Sequence, residues 1–120
     1  MARSVVTVTE IDGYNSGNVI TKDAIDLTNN HSIDIAGLSD ERIQVYVEVT
    51  TAPVTVEFKA GDFEDGAIGD LSEVLTPAGT YVYEIESSRF KDSDGLVLID
   101  ASSTGSGAGN IYASAGVQAK

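Results

Sequence analysis

The sequence lacks cysteine and tryptophan, and it has one histidine, two prolines and seven basic residues among 120. Without cysteine there is no disulfide, no thiol nucleophile and no thiolate metal site, so a disulfide-stapled secreted domain is excluded. Seven Lys and Arg stand against 19 Asp and Glu, a formal charge of −12. A chain so acidic is repelled by phosphate backbones, and no basic cluster with interleaved aromatics offsets that repulsion. Nucleic acid and anionic membrane surfaces are therefore not expected as partners. The longest aliphatic run is Leu96–Ile99, far short of a membrane span. The opening Met-Ala-Arg-Ser-Val-Val-Thr-Val-Thr-Glu lacks the apolar block of a signal peptide, so a chain made in the cytoplasm and not secreted is expected.

What is present is β-pattern. Ile43, Val45, Val47 and Val49 alternate with Gln44, Tyr46, Glu48 and Thr50; beyond Thr51-Ala52-Pro53, Val54, Val56 and Phe58 alternate with Thr55, Glu57 and Lys59. Period two with β-branched residues on one side predicts half-buried strands, here an alternating hairpin that forms the spine of the domain. Ser4–Glu10 alternates well enough for a first strand, or for an arm that docks on a neighbour. Ile11–Asn18 carries the turn chemistry of a surface loop. Ile25 to Ile35 predicts two short strands hinged at Asn29-Asn30-His31, and Gly37–Glu41 leads into the spine. Further strands are predicted at Leu71–Leu75, Thr80–Glu86, Leu96–Ala101 and Ile111–Ala115. Leu96–Ala101 is apolar enough for burial on both faces, Ser87–Phe90 is a link, and Ser102–Asn110 is a Ser/Gly loop. No segment sustains a 3.6-residue period. The expected fold is a single all-β domain over residues 1–120: an antiparallel sandwich, jelly-roll-like, or a small barrel, of about eight short strands.

Candidate chemistry is sparse. His31, the sole histidine, lies in a turn of Asn and Ser, where a solvated side chain is expected rather than a catalytic base. Gly105-Ser106-Gly107-Ala108-Gly109 has neither dinucleotide nor P-loop spacing and precedes a strand, so it reads as a connection. Asp62, Glu64, Asp65, Asp70 and Glu73 offer hard oxygen ligands across the length of a calcium loop, but Gly66 is one place early for that loop and the flanks are strands. Asp92-Ser93-Asp94-Gly95 opens like such a loop, yet Ser103 stands at its twelfth position. Both stretches read as solvated turns. Asn30-His31-Ser32 is a chance sequon. Nothing singles out one carboxylate pair for glycoside hydrolysis. Tyr46, Tyr81 and Tyr83 form either an exposed aromatic strip or rings packed along the core edge. No catalytic, cofactor or metal residues are assigned, and an enzyme is not expected.

Three short motifs follow one another along the chain: Phe58-Lys59-Ala60-Gly61-Asp62, Gly69-Asp70-Leu71, and Glu86-Ser87-Ser88-Arg89-Phe90 ending at Asp94-Gly95. Their order and spacing resemble a group of small tailed-phage virion proteins, head decoration or auxiliary capsid components encoded near the major capsid protein. The resemblance covers about Arg42–Ala115. It implies a non-enzymatic capsid decoration protein on the virion surface, with the major capsid protein as partner and a homo-oligomer such as a trimer compatible with that role. No catalytic residues come with it. In that setting Arg89 either pins Phe90 over the core end, paired with Glu86 or a loop carboxylate, or reaches a capsid subunit. The alternative function is a β-sandwich binding module, for carbohydrate or for calcium-dependent adhesion.

Overall fold

The structure, a computed structural model, describes residues 2–11, 17, 19–37 and 43–116. Most of the expected Ile11–Asn18 loop, and the lead-in from Leu38 to Glu41, lie outside the described residues. Ten strands follow in order: β1 (Ser4–Val5), β2 (Val8–Ile11), β3 (Asp23–Ala24), β4 (His31–Asp34), β5 (Ile43–Thr51), β6 (Val54–Phe58), β7 (Leu71–Leu75), β8 (Gly79–Glu84), β9 (Leu96–Ser102) and β10 (Ala108–Gly116). A 3₁₀ turn at Glu64–Ile68 and a one-turn helix, α1 (Ser87–Phe90), complete them. One sheet has the order β1-β4-β9-β6-β7; the other has β2-β10-β5-β8, with β3 also on β10. The fold is an all-β sandwich.

The core lies where the alternation put it. Ile43, Val45, Val47 and Val49 of β5 meet Val54, Val56 and Phe58 of β6, with Val97 and Ile99 of β9 and Ile111, Ala113 and Ala115 of β10. The spine is not a hairpin, however. β5 pairs with β8 and β10, whereas β6 pairs with β7 and β9. Thr51-Ala52-Pro53 carries the chain from one sheet to the other, so the two valine faces oppose each other across the core. At about 25 cal/mol per Å² of apolar surface buried, this interior is the main stabilising term.

Three further expectations are corrected. The sheets are mixed: β1 runs parallel to β4 and β2 parallel to β10, while the other pairings are antiparallel. The cause is that Ser4–Glu10 splits. Val6 N–H still bonds to Ser32 in the first sheet, and Thr7 C=O already accepts from Ala113 in the second. Val6, at the crossing, is buried between the layers. Second, Ile25–Leu27 forms no strand: it follows the two-residue β3, which joins β10, while β4 joins β9, so no hairpin turns at Asn29-Asn30-His31. Asp26 shapes that corner by accepting from the N–H groups of Thr28 and Asn29, and Asn30 sits at φ 65°, which suits its short polar side chain. Third, β9 is buried on one face only; Leu96, Leu98 and Asp100 are half-buried on the other.

His31 is the clearest reversal. It begins β4, shares a face with Ile33 and Ile35, and is completely buried rather than solvated in a turn. Its Nε2 accepts the Asp26 N–H at 2.8 Å, which leaves Nδ1 as the donor toward Ser4 C=O at 3.3 Å. Burial holds the imidazole below the usual histidine value. It is a neutral strut between β1, β4 and the Asp26 corner.

Candidate functional site

The motifs that follow one another in the sequence meet in space. At the end of the sandwich, Gly61 N–H donates to Arg89 C=O at 2.7 Å and Asp62 N–H to Lys91 C=O at 3.1 Å. The 3₁₀ turn is thereby laid against α1. Ser88 Oγ closes the same seam on Asp65 Oδ2 at 2.6 Å. Asp62 Oδ2 accepts from Ser93 N–H, and Asp92 Oδ1 accepts from the N–H groups of Asp94 and Leu96. The seam demands glycine: a Cβ on Gly61 would lie 2.2 Å from Lys91 C=O oxygen, and one on Gly66 2.3 Å from Gly61 C=O oxygen.

Arg89 turns inward. Its Nε donates to Gly69 C=O at 3.1 Å and its Nη2 to Asp70 C=O at 3.4 Å, and the guanidinium lies 4.7 Å from the centroid of the Phe90 ring. Phe90 in turn packs on Phe58, with ring centroids 5.8 Å apart. Arg89 thus pins Phe90 at the core end, through backbone carbonyls and not through Glu86. Removing it (Arg89→Ala) deletes two charge-assisted bonds and a stacked cation, an expected loss of about 2 kcal/mol in urea unfolding. Arg89→Lys should recover less than half, because a point charge cannot bridge two carbonyls and stack as well.

The acidic residues of the loop do not converge. Asp70 accepts from Ala60 N–H at 2.6 Å and lies 2.9 Å from Lys59 Nζ, which also reaches Glu57 at 2.8 Å. The Ala60 N–H, then Lys59, hold the Asp70 carboxyl below its ordinary value; Glu57 first, then Asp70, hold Lys59 above its own. Glu73 accepts a short hydrogen bond from the Tyr83 hydroxyl. Asp62, Asp65, Asp70 and Glu73 therefore each serve different partners, and among the described residues no three acidic or imidazole groups are placed to hold a metal ion.

Beside the seam opens a cavity of about 670 Å³, lined by Phe63, Glu64, Glu84, Ile85, Glu86, Ser87, Ser88 and Lys91. Ile85 is buried, while Phe63 is 50% exposed. Three carboxylates and one ammonium surround an apolar base, an arrangement suited to a cationic group with an apolar stem. These residues come from three separate stretches, so the sequence reading did not assemble them. The one legible signal was Phe63, the single aromatic in an acidic, glycine-bearing loop.

The tyrosines divide between the two faces. Tyr81 and Tyr83 turn toward the core edge, with Tyr83 4.8 Å from Phe58 between ring centroids and Tyr81 Oη donating to Pro77 C=O at 2.6 Å. Burial and the bond to Glu73 raise the Tyr83 hydroxyl above its ordinary value. Tyr46 lies on the outer face of the second sheet, stacked on Tyr112 at 4.9 Å, beside the Lys22–Glu48 ion pair. An exposed strip of three does not form. The Ser/Gly stretch after β9 is ordered by Ser103, whose Oγ donates to Pro53 C=O and accepts from the N–H groups of Gly105 and Gly107. No family model, no curated protein sequence and no solved structure matches this chain.

Proposed function

We propose that this chain is a non-enzymatic structural protein of a tailed-phage virion, a decoration protein that binds the outer surface of the head and stabilises it. The observation that carries the reading is the seam. The motifs that bear the resemblance, Phe58–Asp62, Gly69–Leu71, Glu86–Phe90 and Asp94-Gly95, come together at one interlocked end of the sandwich instead of scattering over it. A small rigid body with such an end suits a protein whose task is to occupy a lattice, where many weak contacts add up. Its acidity keeps it off packaged DNA. The partner is the major capsid protein, and the place of action is the capsid surface.

The test is co-sedimentation with expanded heads that lack the protein. Saturable pelleting at a fixed ratio to the major capsid protein is expected. Retention in the supernatant at every head concentration rejects the reading. The cavity beside Phe63 favours one second reading, a binding module for a small ligand, which a glycan array or amine panel addresses directly.

A further inference from the structure

We propose that the outer edge of β8, together with the cavity at its end, is a docking edge for a basic, extended segment of a partner protein. The inference deepens the decoration reading by naming the surface and the chemistry of what it takes. β8 ends its sheet: β5 lies on one side of it and no strand on the other among the described residues. Ile85 N–H bonds to Ile43 C=O, and the alternation of an antiparallel ladder turns Tyr83 and Tyr81 the same way. The N–H and C=O groups of Thr80, Val82 and Glu84 therefore face outward, a ready template for another strand.

The opposite wall of the sandwich is differently made. There the segment from β1 to β2 crosses between the layers, and the strands exposed are two and four residues long. β8 has six residues, carries no Lys or Pro to guard its edge, and presents Val82 at 55% exposure. A strand added here runs directly into the cavity, whose walls begin at Glu84 and continue through Ile85 and Glu86. Charge selects the occupant. Glu64, Glu84 and Glu86 outnumber Lys91, so a Lys or Arg side chain fits, its stem against Phe63 and Ile85 and its charge among the carboxylates. A second copy of this chain is the poorer occupant, because each carries a charge of −12.

The probe is a soluble acetyl-Lys-Val-Lys-Thr-Lys-Val-Lys amide, read by amide hydrogen exchange of the full chain. At saturating peptide the Val82 and Glu84 amides should exchange about tenfold more slowly, a population shift of ordinary size for weak strand addition. A Glu-for-Lys peptide should leave them unchanged, and 0.5 M salt should weaken the effect. Val82→Pro removes an outward donor without touching the ladder to β5 and should abolish the protection; Glu84→Lys with Glu86→Lys should weaken it at least tenfold. Unchanged exchange at Val82 and Glu84 overturns the inference. So does protection confined to the cavity, or protection that rises with protein concentration in the absence of peptide. If the peptide binds but heads do not pellet the protein, the edge stands and the decoration reading falls. If heads bind and these amides stay unprotected, the reverse holds.

Discussion

Replacing His31 by Ala should lower stability by about 4 kcal/mol, the range for emptying a buried aromatic-sized site, and the melting temperature by about 15 °C. That is a large share of the roughly 5–15 kcal/mol that holds a domain of this size together. His31→Phe separates the two parts of the loss. It restores volume but leaves the Asp26 N–H without an acceptor, at about 1–3 kcal/mol for the stranded group, whereas Ser4 C=O stays in the β1–β4 ladder. The pH dependence has a defined sign. Burial lowers the folded-state value of His31 below the roughly 6.5 of an exposed histidine, so as pH falls the unfolded chain takes up the proton first. The contribution is complete above about pH 6.5 and declines below it, at up to about 1.4 kcal/mol per pH unit, until the folded-state value is reached. Asp26 acts in a lower window. Its carboxylate, held down by Asn29 N–H first and by the Ser4 hydroxyl next, contributes above its unfolded value and is lost as pH falls through the folded one. Discharge of other carboxylates relieves self-repulsion in the same range, so the informative quantity is wild type minus His31→Phe. That difference in urea midpoint should shrink between pH 6.5 and 5; a constant difference would show that the imidazole does not titrate with unfolding.

Gly61→Ala should cost about 3 kcal/mol, at the upper end for forcing a methyl group into filled space. The atoms it meets are the carbonyl oxygen, carbonyl carbon and nitrogen of Lys91, all backbone, so no rotamer change relieves the contact. The bond from Gly61 N–H to Arg89 C=O would be pushed apart with it. Gly105→Ala is the matched control, since its added Cβ meets only Pro53 Cδ at 3.9 Å, and it should change stability by less than about 0.5 kcal/mol. Chemical denaturation of the two variants side by side gives the comparison. If both are neutral, the seam is not a fixed part of the fold. Because the seam forms one wall of the cavity, Gly61→Ala should also loosen the docking edge in exchange experiments, while Gly105→Ala should not.

What the chain disclosed in advance was facing, and what it concealed was partnership. Alternation assigns Val45, Val47, Val54 and Val56 to the interior whichever sheet each strand joins, and all four are buried. It carries no information about which strand lies next to which. The hairpin expected at Thr51-Ala52-Pro53 did have a visible objection, since that stretch lacks the Asn-Gly or Asp-Gly chemistry of a two-residue turn. His31 was legible too: period two from Ile33 and Ile35 places it on the inner face, a stronger signal than its asparagine neighbours. Of the two roles open to Arg89 the structure has the inward one, but its acceptors are not the expected carboxylates; they are main-chain carbonyls of Gly69 and Asp70, which no side-chain pattern advertises. The cavity was hidden for a similar reason, being made where the acidic loop, the end of β8 and α1 meet only after folding.

The crossing of the N-terminal segment has a consequence for how the molecule comes into being. β2 takes its place beside residues 113–116, and β3 beside residues 110 and 111, so both wait for a strand that follows them by more than 80 residues. On a ribosome these strands have no partner until β10 has left the exit tunnel, and closing so long a loop is slow. Until then the nascent chain is an incomplete sandwich in which β2 and β3 are exposed to other chains. The finished sandwich and its vulnerable precursor are separated by the emergence of a single strand.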